Sequence, residues 1–190
     1  MHPTICDHVL DVVQNACEAG AAEVRLAARR EGARLEVVVV DDGKGMDAAT
    51  SARALDPFWS DGAKHPGRKQ GLGLPFLKQA AEQAGGGLEI ASAPGRGTTV
   101  RFWFDMDNVD APPEGDWAGT LAALMNGAEG RELAVRRERE GRSYEARRSE
   151  LAEALGGLDS AGSVGLLKAY FSSNETEIEN EVRDGEIDVG

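Results

Sequence analysis

The hydrophobic pattern of the first forty residues predicts a helix followed by two strands. Apolar side chains recur every three or four residues over 5–19, which is the period of an amphipathic helix with one buried arc. Thr4 or Asp7 is suited to begin this helix, and Gly20 to end it. Residues 22–28 and 34–40 predict strands joined by a turn at 31–32. The second strand ends in an apolar run typical of a buried central strand.

A second run of elements follows along the chain. Residues 48–55 predict a short helix, 72–84 an amphipathic helix closed by three glycines, and 88–93 with 98–105 a hairpin. The polar, basic and glycine-containing stretch 61–71 predicts a mobile loop. Beyond it the pattern predicts a helix over 117–125, a hairpin of 132–138 with 143–147, a helix from 149, an apolar segment over 164–171 and a partly disordered acidic tail from 174. We therefore expect two regions, 1–106 and 107–190.

The composition of the chain excludes several kinds of partner and metal site. The 190-residue chain carries a formal net charge of −12, and residues 106–190 hold 9 basic and 19 acidic side chains. Such a surface repels phosphate backbones, so we expect no nucleic-acid partner. Two cysteines exclude a four-cysteine metal site and argue against a disulfide framework. No apolar run reaches the roughly 18 residues of a membrane helix, and no signal peptide opens the sequence, so we expect a cytoplasmic protein without a membrane partner.

The first predicted helix carries a stripe of polar residues. His8, Asp11, Asn15 and Glu18 are spaced so that they fall on one helix face. Asp and Asn are poor residues for the middle of a helix, because their side chains compete with its backbone hydrogen bonds. An Asn oxygen suits Mg²⁺, and a carboxylate one turn away can deprotonate a water. On this segment alone, a solvated helix face and a ligand site are equally good interpretations.

Two glycine-containing turns add a candidate site for a flat ligand. Asp41 follows the buried strand, and Gly43 and Gly45 let the backbone pass close to a ring without Cβ collisions. A carboxylate only accepts hydrogen bonds, so it selects a ligand edge that donates them, such as the amino group of adenine. An ordinary Asp–Gly turn is the alternative. Residues 95–99 form either a simple hairpin turn or a support for the same ligand.

The sequence before the second amphipathic helix is suited to a phosphate. Residues 71–74 place glycines at a helix start, where exposed N–H groups and the helix dipole attract an anion. Several cations precede them, namely Lys64, His65, Arg68 and Lys69. A charged surface loop is the alternative interpretation. The sequence contains no P-loop, no Rossmann fingerprint, no serine elbow and no histidine spacing suited to zinc.

Taken in order, five segments resemble the sequence boxes of the GHKL ATPase and kinase superfamily, which includes histidine-kinase catalytic domains, DNA gyrase and mismatch-repair ATPases. Residues 9–21 resemble the N box, 41–46 the first glycine box, 56–58 the phenylalanine box, 71–74 the second glycine box and 95–99 the last. The resemblance implies the Bergerat ATP-binding fold. This is an α/β (α+β) two-layer sandwich with helices on one face of a mixed sheet, and the second region would add a small acidic α+β part.

The resemblance also implies roles for individual residues. Asn15 would ligate Mg²⁺, and Asp41 would accept from the adenine amine. Thr98 would support the base through water, and Asp11, four residues before the asparagine, would be the general base. The rest of the ATP site would be lined by Glu18, Gly43, Gly45, Met46, Phe58, Gly71, Leu72, Gly73 and Leu74. Three cations are alternatives for contacting the phosphates, namely Lys64, Arg68 and Lys69.

The implied function is a cytoplasmic, Mg²⁺-dependent ATP-binding regulator that acts as a protein kinase on a partner or as a slow ATPase. Only seven residues precede His8, so we expect no phosphoacceptor hairpin and interpret His8 as structural. The layout resembles small stand-alone histidine-kinase-like ATPases, a type often encoded beside iron-only hydrogenase genes. A hydrogenase-linked or signalling protein is therefore the expected partner, and a homodimer is left open. The alternative function is a binding module in which nucleotide closes the lid without chemistry.

Overall fold

The computed structural model describes residues 3–56, 73–158 and 160–180. The helices in these ranges are α1 (Ile5–Glu18), α2 (Ala48–Arg53), α3 (Gly73–Gln83), α4 (Trp117–Gly127), α5 (Arg148–Leu155) and α6 (Ala161–Asn180). The strands are β1 (Glu23–Glu31), β2 (Arg34–Asp41), β3 (Gly87–Ser92), β4 (Thr98–Asp105), β5 (Glu132–Arg139) and β6 (Arg142–Arg147). None of these helices is long and apolar enough to cross a membrane.

The strands of the described ranges form one mixed sheet in the order β3-β4-β2-β1-β5-β6. β1 and β2 pair antiparallel from Val24 opposite Asp41 to Glu31 opposite Arg34, because Gly32 at φ +54° allows the tight turn between them. β5 pairs in parallel with the other edge of β1, and β6 pairs antiparallel with β5. The strands of the second region therefore extend the sheet that the first region begins.

One face of this sheet is covered by helices and holds the core. Alternate strand residues, such as Leu26 of β1 and Val37 of β2, are buried and join one apolar cluster with residues of α1, α3, α4 and α6. In α1 the buried residues are Ile5, Cys6, His8, Val9, Val12, Val13 and Ala16. The arrangement is a two-layer α/β sandwich, so the predicted fold class is confirmed.

The opposite face of the sheet carries cross-strand ion pairs. Arg101 of β4 donates to Glu36 of β2 at 2.9 Å. Glu138 of β5 lies between Arg29 of β1 at 3.0 Å and Arg136 at 3.1 Å. A sheet that packs helices on one side only is expected to carry such polar residues on its other side.

The helix ends show how local sequence sets the elements. The Thr4 hydroxyl accepts from the Asp7 N–H at 3.1 Å, and the Asp7 carboxylate accepts from the Thr4 N–H at 2.7 Å, so Thr4 begins α1 in a capping box. α6 continues to Asn180, so residues 174–180 of the predicted acidic tail are helical, and Glu175 and Ile178 are buried. The predicted loop 61–71 and the last residues, 181–190, lie outside the described residues. The division of the chain at residue 106 stays a prediction.

Candidate functional site

β2 ends at Asp41, a carboxylate that is only 9% exposed. Its Oδ1 accepts from the Gly43 N–H at 2.8 Å. Burial raises the pKa of Asp41, and the backbone N–H groups of Gly43 and Thr98 partly offset that rise. The single hydrogen bond from Gly43 leaves acceptor capacity on the carboxylate, which can therefore bind an N–H group of a ligand.

Glycines bring two turns into contact beside this carboxylate. A Cβ at Gly97 would lie 1.9 Å from the backbone oxygen of Asp41, and a Cβ at Gly45 would lie 2.0 Å from the oxygen of Ala93. Both glycines have positive φ, +74° and +64° respectively. No other residue fits at either position without displacing backbone. The glycine turn after β2 is therefore packed directly against the turn between β3 and β4.

Ser92 joins these two turns through its hydroxyl group. Its Oγ accepts from the Met46 N–H at 2.8 Å and donates to the Gly97 oxygen at 3.0 Å. Since that donation uses its only proton, the Thr98 hydroxyl, 2.9 Å away, is the donor to Ser92. The lone pairs of Thr98 Oγ1 are then left to accept from water or a ligand. Ser92 was not among the predicted site residues, although its position opposite Thr98 in the predicted hairpin was the signal that could have found it.

The last turn of α1 packs against the loop after Asp41. The Lys44 N–H donates to the Ala19 oxygen at 3.0 Å, and a Cβ at Gly43 would lie 2.9 Å from the Cβ of Ala19. Asp42 turns away from this contact and accepts from two N–H groups at the start of β1, at 2.7 and 2.9 Å. The Asp41 end of the site is thus fixed to the C-terminal end of α1.

Asp11 marks the other end of the site. Its Oδ2 lies 3.2 Å from the position that a Cβ at Gly73 would occupy, so the start of α3 approaches this carboxylate. Asp11 lies on the exposed face of α1, but neighbouring groups desolvate its carboxylate and raise its pKa, although nearby His8 opposes that rise. Along α1, Asp11 and Ala19 are separated by about 12 Å at the usual helical rise. Asn15 lies between them on the exposed face, so α1 forms one wall of an elongated site.

His8 does not share the exposed face of α1. Its side chain is only 3% exposed, and its Nε2 has no hydrogen-bond partner within the described ranges. Burial lowers the pKa of His8 and so favours the neutral imidazole. His8 is buried because it lies only about 40° from buried Val12 around the helix. The prediction of a continuous exposed stripe is therefore wrong at His8, while Asp11, Asn15 and Glu18 are exposed.

The remaining predicted site residues fall into two groups. Leu74 packs against the apolar core, and Glu18 accepts from the Gln14 side chain at 3.0 Å on the surface of α1. The others lie outside the described residues, namely Phe58, Lys64, Arg68, Lys69, Gly71 and Leu72. The structure thus brings together the Asp41–Gly45–Thr98 group and, separately, Asp11 with Gly73. The roles of all of them stay predictions.

Asn15 on α1 fits a magnesium ion. Its amide oxygen lies on the exposed face of the helix and is a hard oxygen donor. Mg²⁺ usually keeps several waters and binds through one or two protein groups together with phosphate oxygens. One such donor is therefore sufficient for a magnesium ion that arrives with a nucleotide.

Comparison with known families decides the class of site. The model of the family described as "Histidine kinase-, DNA gyrase B-, and HSP90-like ATPase" matches residues 4–108. The chain belongs to this ATPase family. The matched residues include α1, Asp41 with the glycine turn after it, and the turn between β3 and β4. The resemblance to the GHKL superfamily is therefore confirmed. Residues 4–108 of this family member therefore form an ATP-binding, histidine-kinase-like domain.

Curated relatives of the chain match the same half of it. Sensor protein kinase FleS of Pseudomonas aeruginosa is 42% identical over 99 residues, which are 50% of this chain and 23% of FleS. Nitrogen regulation protein NtrY of Azorhizobium caulinodans is 30% identical over 113 residues, which are 54% of this chain and 14% of NtrY. The chain thus spans less than a quarter of either relative. The crystal structure of the N-terminal domain of a DNA repair protein has the same fold, with a TM-score of 0.57 and 14% identity, covering 84% of this chain and 58% of that one.

Proposed function

We propose that this ATPase is a Mg²⁺-dependent, ATP-binding regulatory protein that phosphorylates a partner protein or hydrolyses ATP slowly. The observation that carries the proposal is the buried Asp41 carboxylate, which keeps acceptor capacity inside the matched ATPase domain. The relatives FleS, by name a sensor protein kinase, and NtrY, by name a nitrogen regulation protein, support a signalling protein as the partner. A hydrogenase-linked partner, a homodimer and a cytoplasmic location remain predictions from the sequence.

Selection of adenine follows from the chemistry of Asp41. The adenine amino group donates, and an ionised carboxylate accepts. Guanine presents a carbonyl oxygen in the corresponding position, so two acceptors would face each other there. Thr98 adds acceptor capacity beside the carboxylate, because its proton is given to Ser92. We therefore expect ATP to be preferred over GTP.

Chemistry at the other end rests on α1. Asn15 would hold a magnesium ion, which when bound neutralises charge on the phosphates. Asp11 would accept the proton of the attacking oxygen, from water or from a partner hydroxyl. Desolvation by neighbouring groups raises the pKa of Asp11, which makes the carboxylate a stronger base than an ordinary aspartate. The approach of Asp11 to Gly73 supports this role, because the start of α3 is where the sequence predicts the phosphates.

The Asp11→Asn variant tests this function. We expect ATP turnover and partner labelling to fall by about 10²–10⁴-fold, the usual contribution of a general base, with ATP affinity changed much less. Asp110→Asn is the matched control, because it makes the same change at an exposed aspartate away from α1. Unchanged turnover in Asp11→Asn would remove Asp11 as the base. ATP binding without turnover, even with partners present, would instead favour the nucleotide-gated binding module.

A further inference from the structure

The first turn of α1 is bound by a segment that lies outside the matched family domain. A helix leaves its first N–H groups without partners inside the helix. The Ile5 N–H donates to the Pro113 oxygen at 3.0 Å, and the Cys6 N–H donates to the Glu114 oxygen at 2.9 Å. The next residue, Gly115, has φ +95°, and a Cβ there would lie 2.9 Å from the Cβ of Cys6. Residues 113–115 therefore fit closely against the beginning of α1.

The Glu114 side chain fixes this segment to three other elements. Its Oε2 accepts from the Trp117 indole N–H of α4 at 2.9 Å, and its Oε1 accepts from Arg30 of β1 at 2.8 Å. Arg139 of β5 lies 3.6 Å from the same oxygen. The side chain is only 17% exposed, so these contacts are shielded from bulk water. One carboxylate thus sets the position of the carbonyl that binds α1.

A buried layer behind Glu114 continues to α6. The Trp117 ring lies 3.8 Å from the guanidinium carbon of Arg137, which is fully buried. Arg137 in turn donates two hydrogen bonds, both of 2.9 Å, to the carboxylate of Glu175 on α6. Residues 113–115, which bind the first turn of α1, are called the clamp below. Their position is therefore determined by packed groups of α4, β5 and α6.

We propose that Glu114 is a positioning residue for the nucleotide site, which it influences through α1 without touching nucleotide. The inference rests on the proposed function, because it concerns the placement of Asp11 and Asn15. A helix moves as a rigid rod, so a shift at Ile5 reaches Asn15, about 15 Å further along the axis. The other end of α1 is held where Ala19 contacts the loop after Asp41, so a tilt of the helix about that contact displaces Asp11 and Asn15 more than Asp41. Asp41 itself lies on β2 and accepts from the Gly43 N–H.

This division predicts which part of nucleotide binding depends on Glu114. Loss of the clamp weakens the contribution of Mg²⁺, which depends on α1, and spares the recognition of adenine, which depends on β2. A merely structural effect would weaken both contributions together. The ratio of ATP affinities with and without Mg²⁺ therefore separates the two explanations.

The experiment compares Glu114→Ala and Glu114→Gln with Glu138→Ala in the full chain. Glu138 is a matched control, because its side chain is 20% exposed and pairs with two arginines on the open face of the sheet. Calorimetry gives the dissociation constants of ADP without Mg²⁺ and of ATP with and without it. In Glu114→Ala we expect the gain in ATP affinity from Mg²⁺ to fall about tenfold, as for a slightly misplaced binding group. Glu138→Ala keeps the gain, and Glu114→Gln, which retains an acceptor for Trp117, falls between.

Hydrogen exchange at the amides of Ile5 and Cys6 tests the clamp without nucleotide. We expect faster exchange in both Glu114 variants than in Glu138→Ala, and Glu114→Gln carries the test if the alanine variant does not fold. Equal exchange and an equal gain from Mg²⁺ in all variants would overturn the inference, as would an equal loss of ADP affinity without Mg²⁺. Wild-type protein that binds no ATP would refute the proposed function instead, while the exchange result would still decide whether Glu114 holds α1.

Discussion

Asp41 and Thr98 face each other across β2 and β4, at the last paired position of the two strands. The Thr98 backbone N–H lowers the pKa of the Asp41 carboxylate, and Gly97 packs so closely on the Asp41 backbone oxygen that no Cβ fits between them. The Thr98 hydroxyl is bonded to Ser92 of the neighbouring strand. The carboxylate and the glycine turn are therefore one unit, so a change in either alters the other.

Replacing the carboxylate is the direct test of adenine recognition. Asp41→Asn removes a charged acceptor, so we expect a loss of about 1.5–3 kcal/mol in nucleotide binding free energy. Calorimetric titration with ATP and Mg²⁺ measures it. Glu36→Gln is the control, because Glu36 lies on the same strand but pairs with arginines on the open face. Retained affinity in Asp41→Asn would contradict the adenine assignment.

Alanine substitutions at two glycines of one turn distinguish the cost of backbone strain from the cost of a steric clash. Gly95 and Gly97 have similar positive φ, +70° and +74°, but a Cβ at Gly95 meets nothing within 4 Å. We expect Gly95→Ala to lower the free energy of unfolding by about 1–2 kcal/mol, the cost of a left-handed backbone. Gly97→Ala should cost roughly a further 1–3 kcal/mol, because backbone must move away from Asp41. Urea unfolding measures both values, and equal losses would show that the turn accommodates the added methyl group.

The pH dependence of ATP binding should report Asp41. Burial raises its pKa, and the ionised form is the one that accepts from adenine. Affinity is therefore full above the raised pKa and falls as pH drops through it, at a higher pH than for an ordinary aspartate. The stability of the free protein has the opposite sign at this residue, because the cost of burying the charge disappears on protonation. Calorimetry across this pH range should show the fall in wild type, and its persistence in Asp41→Asn would assign it to another group.

The sequence predicted the features that depend on local chemistry. The capping pair Thr4 and Asp7, the alternation along β1 and β2 and the glycines of the turns all act within a few residues. Their periods and positions were enough to place α1, the central strands and the glycine turns beside Asp41. The fold class followed from the resemblance of five segments to the GHKL boxes. His8 was misplaced because it lies at the border of the buried arc, where a helical period does not decide exposure.

The features that could not be predicted depend on contacts between distant parts of the chain. The carbonyl of Glu114 accepts from Cys6, more than 100 residues earlier, and β5 pairs with the edge of β1; nothing in the periodicity specifies either contact. Arg137 occupies an inward position of β5, where the pattern alone predicts an apolar residue. Its partner Glu175 lies 38 residues later, in a segment whose acidic composition predicts a solvated tail. Pairing over such distances leaves no local signal.

The buried pair Arg137–Glu175 makes a stability prediction that also tests this long-range pairing. Arg137 is fully buried, and the carboxylate of Glu175 also accepts from the Tyr144 hydroxyl. Glu175→Ala would leave the guanidinium without its counter-charge, so we expect a loss of about 3–5 kcal/mol in the free energy of unfolding. The double variant Arg137→Met with Glu175→Leu should recover most of that loss, because apolar groups of similar volume need no partner. Urea unfolding measures both, and a double variant as unstable as the single one would show that the cost comes from lost packing of α6 instead of an unpaired charge.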